Sequence, residues 1–530
     1  MSEFDDLKKG LLSGAIKRRE FLTRTSALGL AAAAAPILAQ QAQAMTPNKG
    51  GHLRLGTAEG STSDVLDPAP DSSAFITMLS STYLSQLTEV DANGNLHPLL
   101  AESFEPNEGA TEWTFKLRKG VEFHDGKPLV AEDVVATLNH HRGEDSKSSL
   151  KAFANQIEDI KSSGDHEVKI ILSSGNADYP FVLSTGAFSI LPSKDGKVQA
   201  TAGNGTGPYS LQEFDPGVRA VVQKNPNYFK DDVGHFESAE INIIADAAAR
   251  QNALVSNEVD LIDKVELKTA HLLAQNEAVE LLDVTGTLHY TFPMDTRQAP
   301  FNDNNVRLAL KYAIDRQEIV DKVLKGYGAA GNDHPISPAN RYFNTELAPR
   351  NYDPDKAKFY LKEAGLDTLT VELSASEAIW NGAIDAVVLY REQAAKAGID
   401  IVANRVPNDG YWSNVWMKHP WAASYWSGRP TEDWMFSQGY ADDSSWNETF
   451  WKNDRFNMLL REARAELDET KRRDMYWEMQ EIVRDDGGAV VPIFANHLMA
   501  YQKSKLTHPE KVAGNWNLDG YKLIERWSMT

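Results

Sequence analysis

Apolar and polar residues alternate with a period of two over Glu112–Arg118. Trp113, Phe115 and Leu117 fall on one face, and Thr114, Lys116 and Arg118 on the other. That period predicts a half-buried strand, and Gly120 and Asp125-Gly126-Lys127-Pro128 supply the turns that follow it. His52–Thr57, Val168–Leu172 and Glu240–Ile244 read as further short strands. Two helices interrupt them. One covers about Ala131–His140 and is entered through Glu132 and Asp133, whose charges suit the positive end of a helix. The other covers Ala247–Ser256.

From about Phe301 the pattern changes. Val306, Leu310, Ala313, Ile314, Val320, Val323 and Leu324 recur at helical spacing and predict a helix over Asn302–Leu324, ended by Gly326. Asp353-Pro354 is a helix start, because Asp can cap and Pro at the first position lacks only an unused N–H. Leu369, Val371 and Leu373 alternate as a strand, Ala383–Ala397 reads as a helix stopped by Gly398, and Ile399–Val406 reads as a second strand. This βαβ unit implies a parallel pair with a right-handed crossover. Thr470–Arg484 (helix) and Val490–Phe494 (strand) repeat the alternation. The fold class is α/β with mixed sheets. No repeat or low-complexity linker separates the halves, so lobes joined by short crossing strands are expected.

The first 44 residues have a different character. A polar start ends in Lys17-Arg18-Arg19-Glu20-Phe21-Leu22, a mildly apolar run follows with alanine at all of 31–35, and Ala42-Gln43-Ala44 offers a small-x-small cleavage site. Arg18-Arg19-x-Phe21-Leu22 resembles the twin-arginine export signal of bacteria, which engages the twin-arginine translocase. The apolar run is shorter than the ~20 residues that span a bilayer. No later stretch approaches such a span. Export without an anchor points to the periplasm of a double-membraned cell.

Composition narrows the chemistry. The chain of 530 residues contains no cysteine, which excludes disulfides, Cys-ligated metals, thiol nucleophiles and a lipidated N-terminal Cys. Its formal charge is −21; without residues 1–44, which hold six basic and four acidic side chains, it is −23. Such a surface repels nucleic acid and anionic membranes. There is no HExxH, Walker loop or G-x-S-x-G elbow. Ser148–Lys151 spells S-x-x-K without its partner motifs. His140-His141 point about 100° apart on a helix, which does not suit two ligands of one metal. Gly203–Pro208 lacks the Lys and helix of a phosphate loop and reads as a tight loop. No catalytic residue, metal site or cofactor is expected.

Tryptophan stands out. Seven of the 12 lie within 412–451: Trp412, Trp416, Trp421, Trp426, Trp434, Trp446 and Trp451. Some of these must be core. Trp421 to Trp426 is a short apolar strand that ends in Ser427-Gly428-Arg429-Pro430, and ligands of α/β sheets sit beyond strand ends. An aromatic followed by Arg at that point suits a ligand clamp. The alternative is a structural pair of Arg429 with Glu432 or Asp433.

Several ordered segments resemble the peptide/nickel (dipeptide- and oligopeptide-binding) family of ABC-transporter solute-binding proteins. They are Trp113–Gly126 with Ala131–Val134, Thr206–Tyr209 with Asn225–Tyr228, Arg250 to Asp260, Phe301–Leu310, and Tyr352–Ala357. The resemblance spans essentially 45–530. It implies the two-lobed periplasmic-binding-protein fold of the large class, closing on a small-molecule or short-peptide ligand and delivering it to an inner-membrane permease, without catalysis. The expected organisation is 45–292 plus 498–530 for the first lobe, an extra subdomain at about 75–200, and 293–497 for the second lobe. A monomer is expected.

In peptide-binding members the strand ending W-x-x supplies an Asp for the ligand's amine; here Arg429 stands in that place. The ligand is therefore expected to carry an anionic group, as in an amino-acid-derived or opine-like solute, a peptide held differently, or an acidic sugar derivative. Arg429 and Trp426 lead the candidate wall. Glu59, Ser61, Tyr83, Thr206, Gly207, Met294, Asp295, Tyr411, Trp412, Asp442 and Trp446 join it by position, with Asp295 a potential amine partner. A periplasmic hydrolase of peptides or sugars, an oligosaccharide-binding protein and a sensory binding protein are the competing readings.

Overall fold

The computed structural model describes residues 47–530 apart from Ser72 and Asn381. Arg18, Arg19, Ala42 and Ala44 of the expected export signal lie outside these residues.

Three sheets organise the chain. The first has seven strands in the order Tyr209–Asp215, Arg219–Lys224, Ser238–Ile243, His52–Thr57, Leu261–Ile262, His497–Gln502 and Val279–Val284. His52–Thr57 runs parallel to both neighbours, and the other pairings are antiparallel. Leu53 and Leu55 share its apolar face with Ile241, Phe75, Met78 and Trp527.

The second sheet has four antiparallel strands, ordered Gly328–Ala330, Ala489–Ala495, His289–Pro293 and Ser424–Trp426. Bridges at Met294–Trp421 and Ser374–Ala422 continue it into the parallel pair Leu369–Ala375 and Ile399–Arg405. Helix Ala383–Ala395 is the crossover, as the βαβ pattern predicts. The core between them gathers Phe292, Leu310, Leu373, Tyr390, Trp421 and Val490. The third sheet, Ala101–Pro106, Glu112–Leu117, Glu167–Leu172 and Ile157–Ser162, is antiparallel throughout and is covered by helix Ala131–His140.

This is a two-lobed α/β fold. The chain leaves the first sheet after Val284, enters the second at His289 and returns at His497. Asn496 Nδ2 ties the two crossings together through Asp283 Oδ1 at 2.7 Å. Strand His289–Pro293 thus already belongs to the second sheet, upstream of the expected boundary at 293.

Two further differences from expectation have local causes. The single helix expected over Asn302–Leu324 is two, Asn304–Tyr312 and Arg316–Lys322. Asp315 caps the second by accepting from Glu318 N at 3.0 Å, and Arg316 turns inward onto Asp333 at 2.7 and 2.6 Å. Helix Ala74–Tyr83 escaped the pattern because all ten of its residues are buried, so it has no polar face to set a period. It packs in the core of the first sheet with Leu53, Leu55 and Trp527.

Candidate ligand-binding site

The site is built around the end of strand Ser424–Trp426. Alternation along the strand turns Ser424 and Trp426 inward and leaves Tyr425 39% exposed. Both inward side chains reach Glu448. Trp426 Nε1 donates to its Oε2 at 2.9 Å, Trp416 Nε1 donates to Oε1 at 2.5 Å, and Ser424 Oγ also donates to Oε1. An indole N–H can only donate, so one buried carboxylate serves both rings. Burial pushes the Glu448 carboxyl up, and these three donors act against that shift.

From this anchor a run of rings extends outward. Trp426 meets Trp446 at 5.9 Å, Trp446 meets Trp416 at 5.8 Å, and Trp416 meets Trp412 at 5.7 Å. Trp412 in turn meets Tyr425 and Tyr411, each at 5.7 Å. Most of these pairs are edge-on, the geometry that ring quadrupoles favour. Trp412 and Trp446 remain 43% and 47% exposed, so the array keeps an open face. The tryptophan cluster therefore divides. Trp421, Trp434 and Trp451 are core, while Trp412, Trp416, Trp426 and Trp446 form the array.

Arg429 follows directly. Its guanidinium lies 5.6 Å from the Trp426 ring. Nε donates to Gln438 Oε1 at 2.7 Å, and Nη1 donates to the carbonyls of Ser427 and Gly428 at 2.8 and 3.2 Å and to Ser427 Oγ at 3.1 Å. All four acceptors are neutral. Glu432 instead accepts from Tyr342 N at 2.6 Å, and Asp433 pairs with Arg464 at 3.0 Å, so neither expected structural partner takes the cation. Burial pulls the Arg429 guanidinium down to about 10. The carboxylate that acts on it most is Asp71, which is beyond ion-pairing distance and accepts from Thr77 Oγ1 at 2.5 Å. Burial pushes the Asp71 carboxyl up, and the Arg429 charge acts against this. Gly428 is required beside Arg429, since a Cβ there would lie 1.4 Å from Thr287 Oγ1 on the chain crossing.

Arg429 lines a narrow crevice together with Val90, Phe181, Thr287, Arg341 and Asn515. A second narrow crevice shares Val90, Pro430 and Asn515 with it and reaches Trp516 and Tyr521. These linings come from both lobes.

Other candidate residues lie elsewhere. Tyr83 is 1% exposed and donates to Leu66 O at 3.1 Å inside the first lobe. Thr206 is buried, and Gly207 N donates to Tyr83 O at 3.0 Å, so this turn packs on the end of a core helix. Met294 is a fully buried core residue. Asp295 is held by Arg297 at 2.9 and 2.8 Å and by Gln298 at 2.6 Å, which leaves it no free face for an amine. Glu59 pairs with Lys264, and Ser61 with Ser63 and Asp64. Asp442 is exposed, with its N–H on Asn457. Tyr411 is buried and supports the array through its hydroxyl on Ala423 O at 2.7 Å. His140 pairs with Asp67 at 2.8 Å and His141 with Ser148 at 2.7 Å, which gives both histidines and the S-x-x-K serine structural roles.

The profile of the bacterial extracellular solute-binding proteins, family 5 middle region, matches residues 95–448. The chain belongs to this family. Among family-5 relatives, the probable D,D-dipeptide-binding periplasmic protein DdpA of Escherichia coli (strain K12) is 25% identical over 423 residues, 76% of this chain and 80% of the relative. The glutathione-binding protein GsiB of the same strain is 25% identical over 472 residues, 85% and 90% of the two chains. The solved structure of AgaA from A. tumefaciens R10 in complex with agropinic acid matches with a TM-score of 0.73 at 24% identity, covering 91% of this chain and 99% of that one. The protein is thus a periplasmic solute-binding component of an ABC importer, as the resemblance carried by Trp113–Gly126 and the later motifs implies. No described helix is long and apolar enough to cross a membrane.

Proposed function

We propose that the protein captures a small amino-acid-derived or peptide-like solute through an anionic group received by Arg429, and that it performs no chemistry on it. The observation that carries this reading is a partly buried guanidinium held only by neutral acceptors, next to an open aromatic wall. A carboxylate reaching Arg429 would gain a charge-assisted contact with no resident anion to displace. Asp71, which acts on Arg429 without pairing to it, offers an acceptor for a cationic group, so a zwitterion would satisfy both. The aromatic array supplies the apolar contact. D,D-dipeptides, glutathione and agropinic acid, named for the relatives, all carry a carboxylate.

A thermal-shift screen tests this. The panel would hold amino-acid derivatives and short peptides, each as free acid, methyl ester and N-acetyl form. Free acids should raise the melting temperature and their methyl esters should not. An ester that stabilises as well as its acid would overturn the role of Arg429. An N-acetyl form that does so would overturn only that of Asp71. Turnover of a bound panel member would overturn the non-catalytic reading.

Residues 1–44 are proposed as the twin-arginine signal, with a mature protein that begins at Met45 and acts as a monomer. Replacing Arg18 and Arg19 by Lys should retain the precursor in the cytoplasm. An N-terminus at Met45 in exported wild type would support the assignment, and export undiminished in the double variant would contradict it.

A further inference from the structure

One side chain in the core of the third sheet comes from a distant stretch of chain. Trp434 lies on helix Glu432–Gly439, just after the last strand of the second sheet. It nevertheless belongs to the core that holds Trp113, Leu138, Ile170 and Tyr179, and its ring is 4.3 Å from Phe153. Met435 and Phe436 of the same helix face the other way, into a core with Trp451, Phe456 and Tyr476. The helix is therefore clamped between the extra subdomain and the second lobe.

A charged cluster adjoins this plug. Asp178, at the entrance to the short helix Tyr179–Val182, is buried between two second-lobe cations, Arg472 at 2.8 Å and Arg341 at 3.2 Å. Arg341 also lies 4.8 Å from the Phe181 ring. Ala177 N donates to Arg464 O at 2.7 Å, and Arg464 holds Asp433, the neighbour of Trp434, at 3.0 Å. None of these groups bonds to Arg429 or to the array, yet Phe181 and Arg341 line the same crevice as Arg429.

Connectivity makes this contact separable. The extra subdomain is an insertion in the first lobe, leaving after helix Ala74–Tyr83 and returning to strand Tyr209–Asp215. The His140 Nε2–Asp67 Oδ2 contact at 2.8 Å and the bond from Ser149 N to Ala69 O at 3.0 Å tie it down on that side. Only non-covalent contacts join it to the second lobe, whose chain crossings to the first sheet lie at 285–288 and Asn496.

We propose that Asp178, Arg341, Arg472 and Trp434 form a latch that holds the lobes closed in the absence of solute. Opening must withdraw a large indole from an apolar core and separate a buried carboxylate from two guanidinium groups, whereas closing restores both. The latch biases a two-state equilibrium before any solute arrives, so it sets the share of protein that is already closed. It also delays release, because the solute leaves only after the latch opens. The latch does not depend on what Arg429 binds.

The cysteine-free chain suits a direct test. Lys116→Cys on strand Glu112–Leu117 and Glu481→Cys on helix Glu469–Asp486, both exposed, would carry a donor–acceptor dye pair across the contact. Retained solute would be removed by unfolding and refolding, and folding checked by circular dichroism. Single-molecule transfer should then show a mainly closed wild type. Asp178→Asn and Trp434→Ala should each move the closed-to-open ratio at least tenfold toward open. Arg341→Gln, at the exposed rim, should move it the same way by a smaller factor and guards against loss of fold in the other two. A mainly open solute-free wild type, or an Arg341→Gln and a folded Asp178→Asn that both keep the wild-type distribution, would overturn the latch.

Discussion

Two arginine environments in this protein invite comparison. Around Asp178, Arg472 is buried with its counter-charge while Arg341 closes the cluster from the exposed rim, and the two guanidinium groups hold the Asp178 carboxyl below the usual range against the burial that raises it. Around Arg429 the protein supplies aromatic rings, a glutamine, a serine and two carbonyls, and burial pulls the cation down to about 10. The arginines around Asp178 share a resident carboxylate, and Arg429 has none within ion-pairing distance. On the proposed reading, the charge that completes Arg429 comes from the solute.

The comparison breaks most visibly through stability. Asp178→Asn leaves the buried Arg472 without its anion and should cost about 3–5 kcal/mol in urea unfolding followed by tryptophan fluorescence. A loss below about 1 kcal/mol would make the cluster incidental. Acid comes next. Burial lowers His289 to about 4 and His334 to about 3 from 6.5. The unfolded chain therefore takes up protons near pH 6.5 that the folded chain refuses. Unfolding free energy should fall as pH drops from about 7 toward 4, by up to about 1.4 kcal/mol per pH unit for each histidine. Asp178, whose carboxyl is lowered, contributes stability above the usual carboxylate range, and this is lost at still lower pH. A flat profile from pH 7 to 5 would contradict the burial of the histidines. Because the Arg429 charge adds to the lowering at His289, Arg429→Gln should raise the His289 midpoint in an NMR titration.

Smaller effects sharpen the site itself. Glu448→Gln replaces one acceptor oxygen by a donor opposite an indole N–H and should cost about 1–2 kcal/mol, with a changed near-ultraviolet circular dichroism spectrum. An unaltered spectrum would show that Glu448 does not orient the rings. In solute-free protein, Arg429→Gln should change stability by less than about 1 kcal/mol, since neutral hydrogen bonds are lost and a desolvation penalty is relieved.

Periodicity carried most of the fold. His52–Thr57, Ala131–His140 and the βαβ unit were legible because each has one apolar and one polar face. Helix Ala74–Tyr83 was not, because it is buried on every side, and the kink at Asp315 depends on Asp333, which lies in a later loop. That Arg429 lies just beyond the end of a short strand, near the Trp426 ring, could be read from its place in the sequence. Glu448 could not, since a lone glutamate bonded to side chains 22, 24 and 32 residues away leaves no local pattern. Tyr83, Thr206 and Met294 show the limit of choosing wall residues by loop position, because tertiary packing turned all three into the core.

The central claim is that Arg429 receives the solute's anionic group. The solute released by denaturing wild-type protein, identified by mass spectrometry, would be titrated calorimetrically into refolded wild type and Arg429→Gln. Loss of one charge-assisted contact of about 2–4 kcal/mol predicts binding weakened about 30- to 1,000-fold. Binding by Arg429→Gln within a factor of about two of wild type, where no contact energy of this size is lost, would contradict the account.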